Sequence, residues 1–91
     1  MKILFNERTK LAIMEVLEKS INNNMRIKVT AVGCGKPAYD IYADYVLEDD
    51  IEVLIDGINF VVSKKDERLC DGIEIKYDKE VYNNGFYIRS L

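Results

Sequence analysis

Cys34 stands between Gly33 and Gly35, with Lys36 two positions on. Flanking glycines let the backbone open around a sulfur, and a nearby lysine favours the thiolate, the form that ligates metals and attacks electrophiles. The plainer reading of the same residues is a small side chain in a tight loop, and the tripeptide alone does not separate the two. Cys70 lies beside Leu69 and just before Asp71-Gly72. It reads as a buried structural thiol, since free cysteine is among the most buried residue types. No spacing supports a Cys34–Cys70 redox pair. The run Glu48-Asp49-Asp50 with Glu52 offers oxygen ligands for a hard cation. It lacks the alternating acids and the glycine of a calcium loop, so it reads as a solvated turn. Tyr39, Tyr42 and Tyr45 offer faces for stacking on a base or ring, yet on a strand Tyr42 points away from the other two. Tyr39 and Tyr45 are expected to pack inward, and Tyr42 to lie on the outer face or at a subunit contact.

The chain contains no histidine. That removes the usual general base near neutral pH, any Ser-His or Cys-His dyad and the commonest metal ligand, so a thiol-dependent enzyme using Cys34 is the weakest reading and the protein is expected not to be an enzyme. Thirteen Lys and Arg against sixteen Asp and Glu give a formal charge of -3. The basic residues are scattered rather than gathered into a stripe, which argues against nucleic acid as a partner. Hydrophobic residues make up 48% of the chain and charged ones 32%, the balance of an ordinary globular domain. No apolar run approaches the roughly 18 residues needed to span a bilayer, and Met1 to Phe5 is too short for a signal peptide's apolar region. The expectation is no membrane segment, a cytoplasmic location and, with two cysteines in that setting, reduced thiols. A chain of 91 residues supports one core, so residues 1–91 are expected to form a single domain.

The elements that must position Cys34 follow from periodicity. Asn6 has the chemistry of an N-cap with Glu7 in the first turn, and Leu11, Met14, Leu17 and Ile21 recur at helical steps, predicting a helix whose stripe packs on a sheet and which ends at Asn22-Asn23-Asn24. From Met25 the period becomes two. Ile27, Val29 and Ala31 alternate with Arg26, Lys28 and Thr30; Ile41, Ala43, Tyr45 and Leu47 alternate with Asp40, Tyr42 and Asp44; Ile51, Val53 and Ile55 alternate with Asp50, Glu52 and Asp56. Asp56-Gly57 has the chemistry of a tight hairpin turn before Ile58, Phe60 and Val62. Ser63 to Arg68 is a loop or a single helical turn. Ile73, Ile75 and Tyr77 form another strand, and Asn83-Asn84-Gly85 turns the chain into a last one through Phe86 and Ile88. The sum is one helix followed by about six short strands, with Cys34 between the first two.

This order, with the run Gly33-Cys34-Gly35, Tyr39, Asp56-Gly57, Leu69-Cys70-Asp71-Gly72-Ile73-Glu74-Ile75 and Gly85-Phe86, resembles the HesB/IscA-type iron-sulfur biosynthesis domain over almost the entire chain. The family's Gly-Cys-Ser-Gly-Phe-x-Tyr loop is similar to the segment from Gly33 to Tyr39, which keeps the Cys and the Tyr at the same spacing and loses the Ser-Gly pair. Its Leu-Asp-Gly-x-x-Ile-Asp-Tyr stretch is similar to Cys70 to Tyr77, with Cys70 in the leucine position and Lys76 in place of the acid. The family's closing Cys-x-Cys pair, beyond its final strand, has no counterpart up to Leu91.

The resemblance implies an α+β fold, a HesB-like domain with an N-terminal helix packed on a twisted, mainly antiparallel β structure. It also implies a carrier or scaffold that binds iron or an iron-sulfur cluster through thiolates, often across a dimer. Its cofactor would then be iron or an iron-sulfur cluster, held by Cys34 as the retained metal ligand in a loop shaped by Gly33 and Gly35. A two-iron cluster needs about four thiolates, so a second copy or another protein would complete the site. The implied partners are a homodimer mate and iron-sulfur assembly or recipient proteins. The alternative is a metal-free interaction or regulatory module on the same scaffold.

Overall fold

Asn6 starts the helix as its spacing predicts: its Oδ1 accepts a hydrogen bond from the Thr9 backbone N–H at 2.9 Å, and Glu7 faces the positive end of the helix dipole. The computed structural model, which describes residues 1–33, 35–80 and 85–91, runs this helix, α1, over Glu7–Glu18 with Lys19 as its C-cap. Asn22 and Asn23 therefore lie in the connection, and Asn24 already opens the next strand. The face that α1 buries also differs from expectation. Thr9 and Ile13 are buried, with Ala12, Val16 and Leu17 partly so, while Leu11 and Met14 are exposed and Ile21 is 97% exposed. Both stripes obey the helical period and share Leu17. The one that packs is, apart from Leu17, made of small or β-branched side chains, Thr9, Ala12, Ile13 and Val16.

Seven strands accompany the helix among the described residues: β1 (Ile3–Leu4), β2 (Asn24–Ala31), β3 (Ala38–Asp44), β4 (Asp50–Ile55), β5 (Ile58–Ser63), β6 (Ile73–Tyr77) and β7 (Phe86–Ser90). The segment between β5 and β6 forms a 3-10 turn, Lys64–Asp66, and one turn of helix, α2 (Glu67–Cys70). One sheet has the order β1-β6-β7 and the other β3-β2-β5-β4. Neighbouring strands are antiparallel except β1 with β6 and β2 with β5. The architecture is the expected α+β one, with β1 as a short parallel strand that two residues could not announce.

The Asp56-Gly57 turn closes the β4–β5 hairpin with both central residues at positive φ, 50° and 80°, which fits a turn whose twist matches the strands it joins. The predicted Asn83-Asn84-Gly85 turn falls largely outside the described residues; Gly85 itself has a φ of 94°. α1 lies against β6 and β2, α2 against β2 and β5, and β7 runs beside β3, so the two sheets enclose a common core. Its centre is Ile13, Met25, Ile27, Phe60, Ile73 and Cys70, all fully buried. Phe5 tilts against Phe60 at 5.6 Å and Tyr77 against Phe86 at 5.1 Å. Among the described residues no helix is long and apolar enough to cross a membrane.

Candidate functional site

The loop predicted to carry the chemistry is the connection between β2 and β3. Val29 pairs with Tyr39 and Ala31 with Ala38, with a bulge between, and the chain beyond projects as an exposed loop in which Gly35 has a φ of 116°, a conformation glycine adopts without strain. Gly33 and Gly35 are both exposed. Cys34, the residue between them, lies outside the described residues. Both stalks of the loop are fastened to the segment after β5. The Val29 N–H donates to Asp66 Oδ2 at 3.3 Å, and Tyr39 Oη donates to the Leu69 carbonyl at 2.5 Å. Tyr39 thus packs inward, as its place on the strand requires, and fixes the base of the loop.

Cys70 sits within that fastening segment and is fully buried. Burial, reinforced by the nearby Asp66 charge, pushes its thiol up to about 12, so it stays protonated and serves as core volume. That agrees with its reading as a structural thiol and keeps it out of the exposed loop.

Glu48 and Asp49 are exposed in a turn and Glu52 is exposed on β4, as the solvated reading expects, but Asp50 departs from it. Asp50 has a side chain only 2% exposed and binds Arg26 in a fork, with Nη1 to Oδ1 at 2.9 Å and Nη2 to Oδ2 at 2.5 Å. Arg26 Nε also donates to Asp44 Oδ2 at 2.5 Å, and Nη2 to the Tyr45 carbonyl at 3.2 Å. The Leu47 N–H donates to Asp50 Oδ2 at 2.6 Å. The Arg26 hydrogen bond chiefly holds the Asp50 carboxyl below its ordinary range, and the paired carboxylates raise Arg26. Among the described residues no group of three or more His, Cys, Asp or Glu is placed to hold a metal ion.

This network explains a second departure. The alternation predicts a strand running on through Tyr45 and Leu47, but β3 ends at Asp44 and Tyr45 is 59% exposed. β3 and β4 are the two edges of their sheet, and each is antiparallel to its neighbour while β2 and β5 are parallel. Residues 45–49 must therefore cross the outer face from one edge to the other. Arg26 projects from β2 on that face and holds the crossing chain at Asp44, Tyr45 and Asp50. Sequence spacing could not reveal a contact between an outward strand residue and two acids 18 and 24 positions away. An open cleft of about 500 Å³ lies beside the crossing, lined among others by Tyr42, Leu47, Glu48, Lys28 and Lys65.

Neither a family model nor a curated sequence matches the chain. Among solved structures, Escherichia coli SufA, described as involved in biosynthesis of iron-sulfur clusters, superposes with a TM-score of 0.75 at 21% identity over 97% of this chain and 79% of that one. IscA with a [2Fe-2S] cluster gives 0.70 at 14% identity, covering 98% and 82%. A protein from Aquifex aeolicus solved by NMR gives 0.67 at 23% identity, covering 98% and 91%. The chain has the fold of the HesB/IscA-type iron-sulfur biosynthesis proteins, as the order of its motifs leads one to expect.

Proposed function

We propose that the protein is a non-enzymatic participant in iron-sulfur cluster assembly, binding iron or a cluster as cargo through Cys34. The observation that carries this reading is the fold shared with SufA and IscA over nearly the whole chain, with Gly33 and Gly35, the sequence neighbours of Cys34, exposed in the β2–β3 connection on a base fastened by Tyr39 and Asp66. An exposed loop gives a thiolate access to a metal delivered from outside. Cys70, buried and protonated, adds no second ligand. Residues 1–91 then supply one thiolate, and a two-iron cluster, which takes about four protein ligands, draws the remainder from beyond them, from a second copy or from an assembly or recipient protein. A site completed by a partner suits passage of a cluster between proteins better than storage within one.

The test is anaerobic reconstitution with ferrous iron and sulfide on wild type and Cys34→Ser in parallel, followed by absorption spectra and metal counts. Charge-transfer absorption that disappears in the variant is the expected result. Absence of iron and sulfide from both proteins, each with an unaltered far-UV spectrum, overturns the reading.

A further inference from the structure

The outer face of the four-stranded sheet has features that thiolate chemistry does not use. The crossing chain presents Tyr45, Val46 and Leu47 to solvent at 59%, 38% and 49% exposure, and Tyr42 on the adjoining strand is 37% exposed. Four apolar or aromatic side chains held outward by an Arg26-anchored segment form a surface that needs little ordering before it binds, and the adjacent cleft offers a recess for a side chain. Between positions 37 and 63 the chain carries Asp40, Asp44, Glu48, Asp49, Asp50, Glu52 and Asp56 and no Lys or Arg. Arg26 offsets part of this charge from below. Lys28, opposite Asp40 across the strand pair, and Lys65 on the cleft wall offset a further part, so the surroundings of the apolar patch remain net negative.

We propose that this face docks a segment of another protein that presents apolar side chains flanked by lysines or arginines. Tyr42, Tyr45, Val46 and Leu47 take the apolar side chains, and Asp40, Glu48 and Asp49 attract the cations. The charge pattern selects this occupant. A second copy docked face to face would bring two acidic rims together, and nucleic acid or an anionic bilayer is repelled by the same rim. Tyrosine is among the side chains that most often dominate the energy of an interface. The inference does not depend on metal binding.

The experiment uses the full chain without metal and three synthetic 14-residue peptides: an amphipathic one of Leu and Lys, one with Ser in place of each Leu, and one with Glu in place of each Lys. Backbone amide shifts are followed by NMR during titration. The Leu/Lys peptide is expected to saturate with shifts centred on residues 42–49, and the other two to bind at least about tenfold more weakly, the loss expected when one anchor or its steering is removed. Tyr45→Ser with Leu47→Ser, both at exposed positions, should lose a similar factor with the fold intact. Glu48→Lys with Asp49→Lys should shift the preference toward the Leu/Glu peptide. Equal binding of the Ser/Lys peptide, shifts that spread over the molecule without saturating, or an unaltered affinity in the double serine variant would each overturn the proposal.

Discussion

Removing the Arg26 guanidinium should unseat the crossing between β3 and β4, and the size of the effect can be worked from burial. In Arg26→Ala the Asp44 carboxylate, with a side chain 19% exposed, can turn to water, but Asp50, at 2%, cannot. Breaking a buried pair from one side typically costs about 3–5 kcal/mol because the remaining charge is left without compensation. A chain of this length is expected to be stable by roughly 5–14 kcal/mol, so the variant forfeits about a fifth of the total or more. Urea denaturation followed by far-UV circular dichroism reads this directly. At about 1–1.5 kcal/mol per molar urea, the midpoint should fall by roughly 2–5 M. Replacing both buried partners, Arg26→Met with Asp50→Leu, should recover much of the loss, since no unpaired buried charge then remains. Arg26→Lys should fall between, because an ammonium cannot reproduce the fork. If Arg26→Ala stays within about 0.5 kcal/mol of wild type, the effect of an ordinary surface substitution, the reasoning about the network is refuted.

Two further outcomes follow from the same physics. Asp50 titrates below its ordinary value of 3.8 in the native state, chiefly through the Arg26 hydrogen bond, so its contribution is fully present above 3.8 and is lost as the pH falls through the lowered native value. An acid titration of stability should decline there, and Asp50→Asn should show a shallower decline; identical slopes would remove Asp50 from the explanation. For Cys70, with its thiol near 12, only about one molecule in ten thousand is a thiolate at pH 8. In a Cys34→Ser background, Ellman's reagent should therefore react slowly with the native protein and rapidly in denaturant, and a fast stoichiometric reaction without denaturant would show that the segment around Leu69 opens.

Much of the fold was legible because it rests on local chemistry. Asn6 and Glu7 mark the helix start, Asp56-Gly57 marks the hairpin, and alternation at Ile27, Phe60, Val62 and Ile75 separates inner from outer faces. What escaped depends on residues distant in sequence. Ile3 and Leu4 become a strand only because β6 accepts them in parallel. Arg26 reads as an outward, solvated residue until Asp44 and Asp50 surround it. Leu11, Met14 and Leu17 outweigh Thr9, Ala12 and Ile13 in size, so the wrong helix face looked apolar. At the candidate site, Gly33 and Gly35 lie in an exposed loop and Cys70 in the core, as their types suggested. The fastening of that loop by Asp66 and Leu69 had no short-range signal, whereas the long acidic stretch without a single Lys or Arg was in plain view and marks the crossing.

The bonds around Gly72 also bear on the order in which the molecule assembles. Its N–H donates to the Lys2 carbonyl at 2.8 Å, its own carbonyl accepts from the Leu91 N–H at 2.9 Å, and the Lys2 N–H reaches Asp71 Oδ1 at 2.8 Å. Three segments far apart along the polypeptide thus meet at one glycine. Loop-closure entropy opposes such a meeting until intervening parts have condensed. The β4–β5 hairpin, joined by its two-residue turn, can form early and offer β5 as a template for β2. The strand pair that places Ile3 opposite Ile73 has to wait. Until then Ile3, Ile73 and Phe86 lack their buried surroundings, which makes the three-stranded sheet the part of the molecule most open to aggregation during refolding.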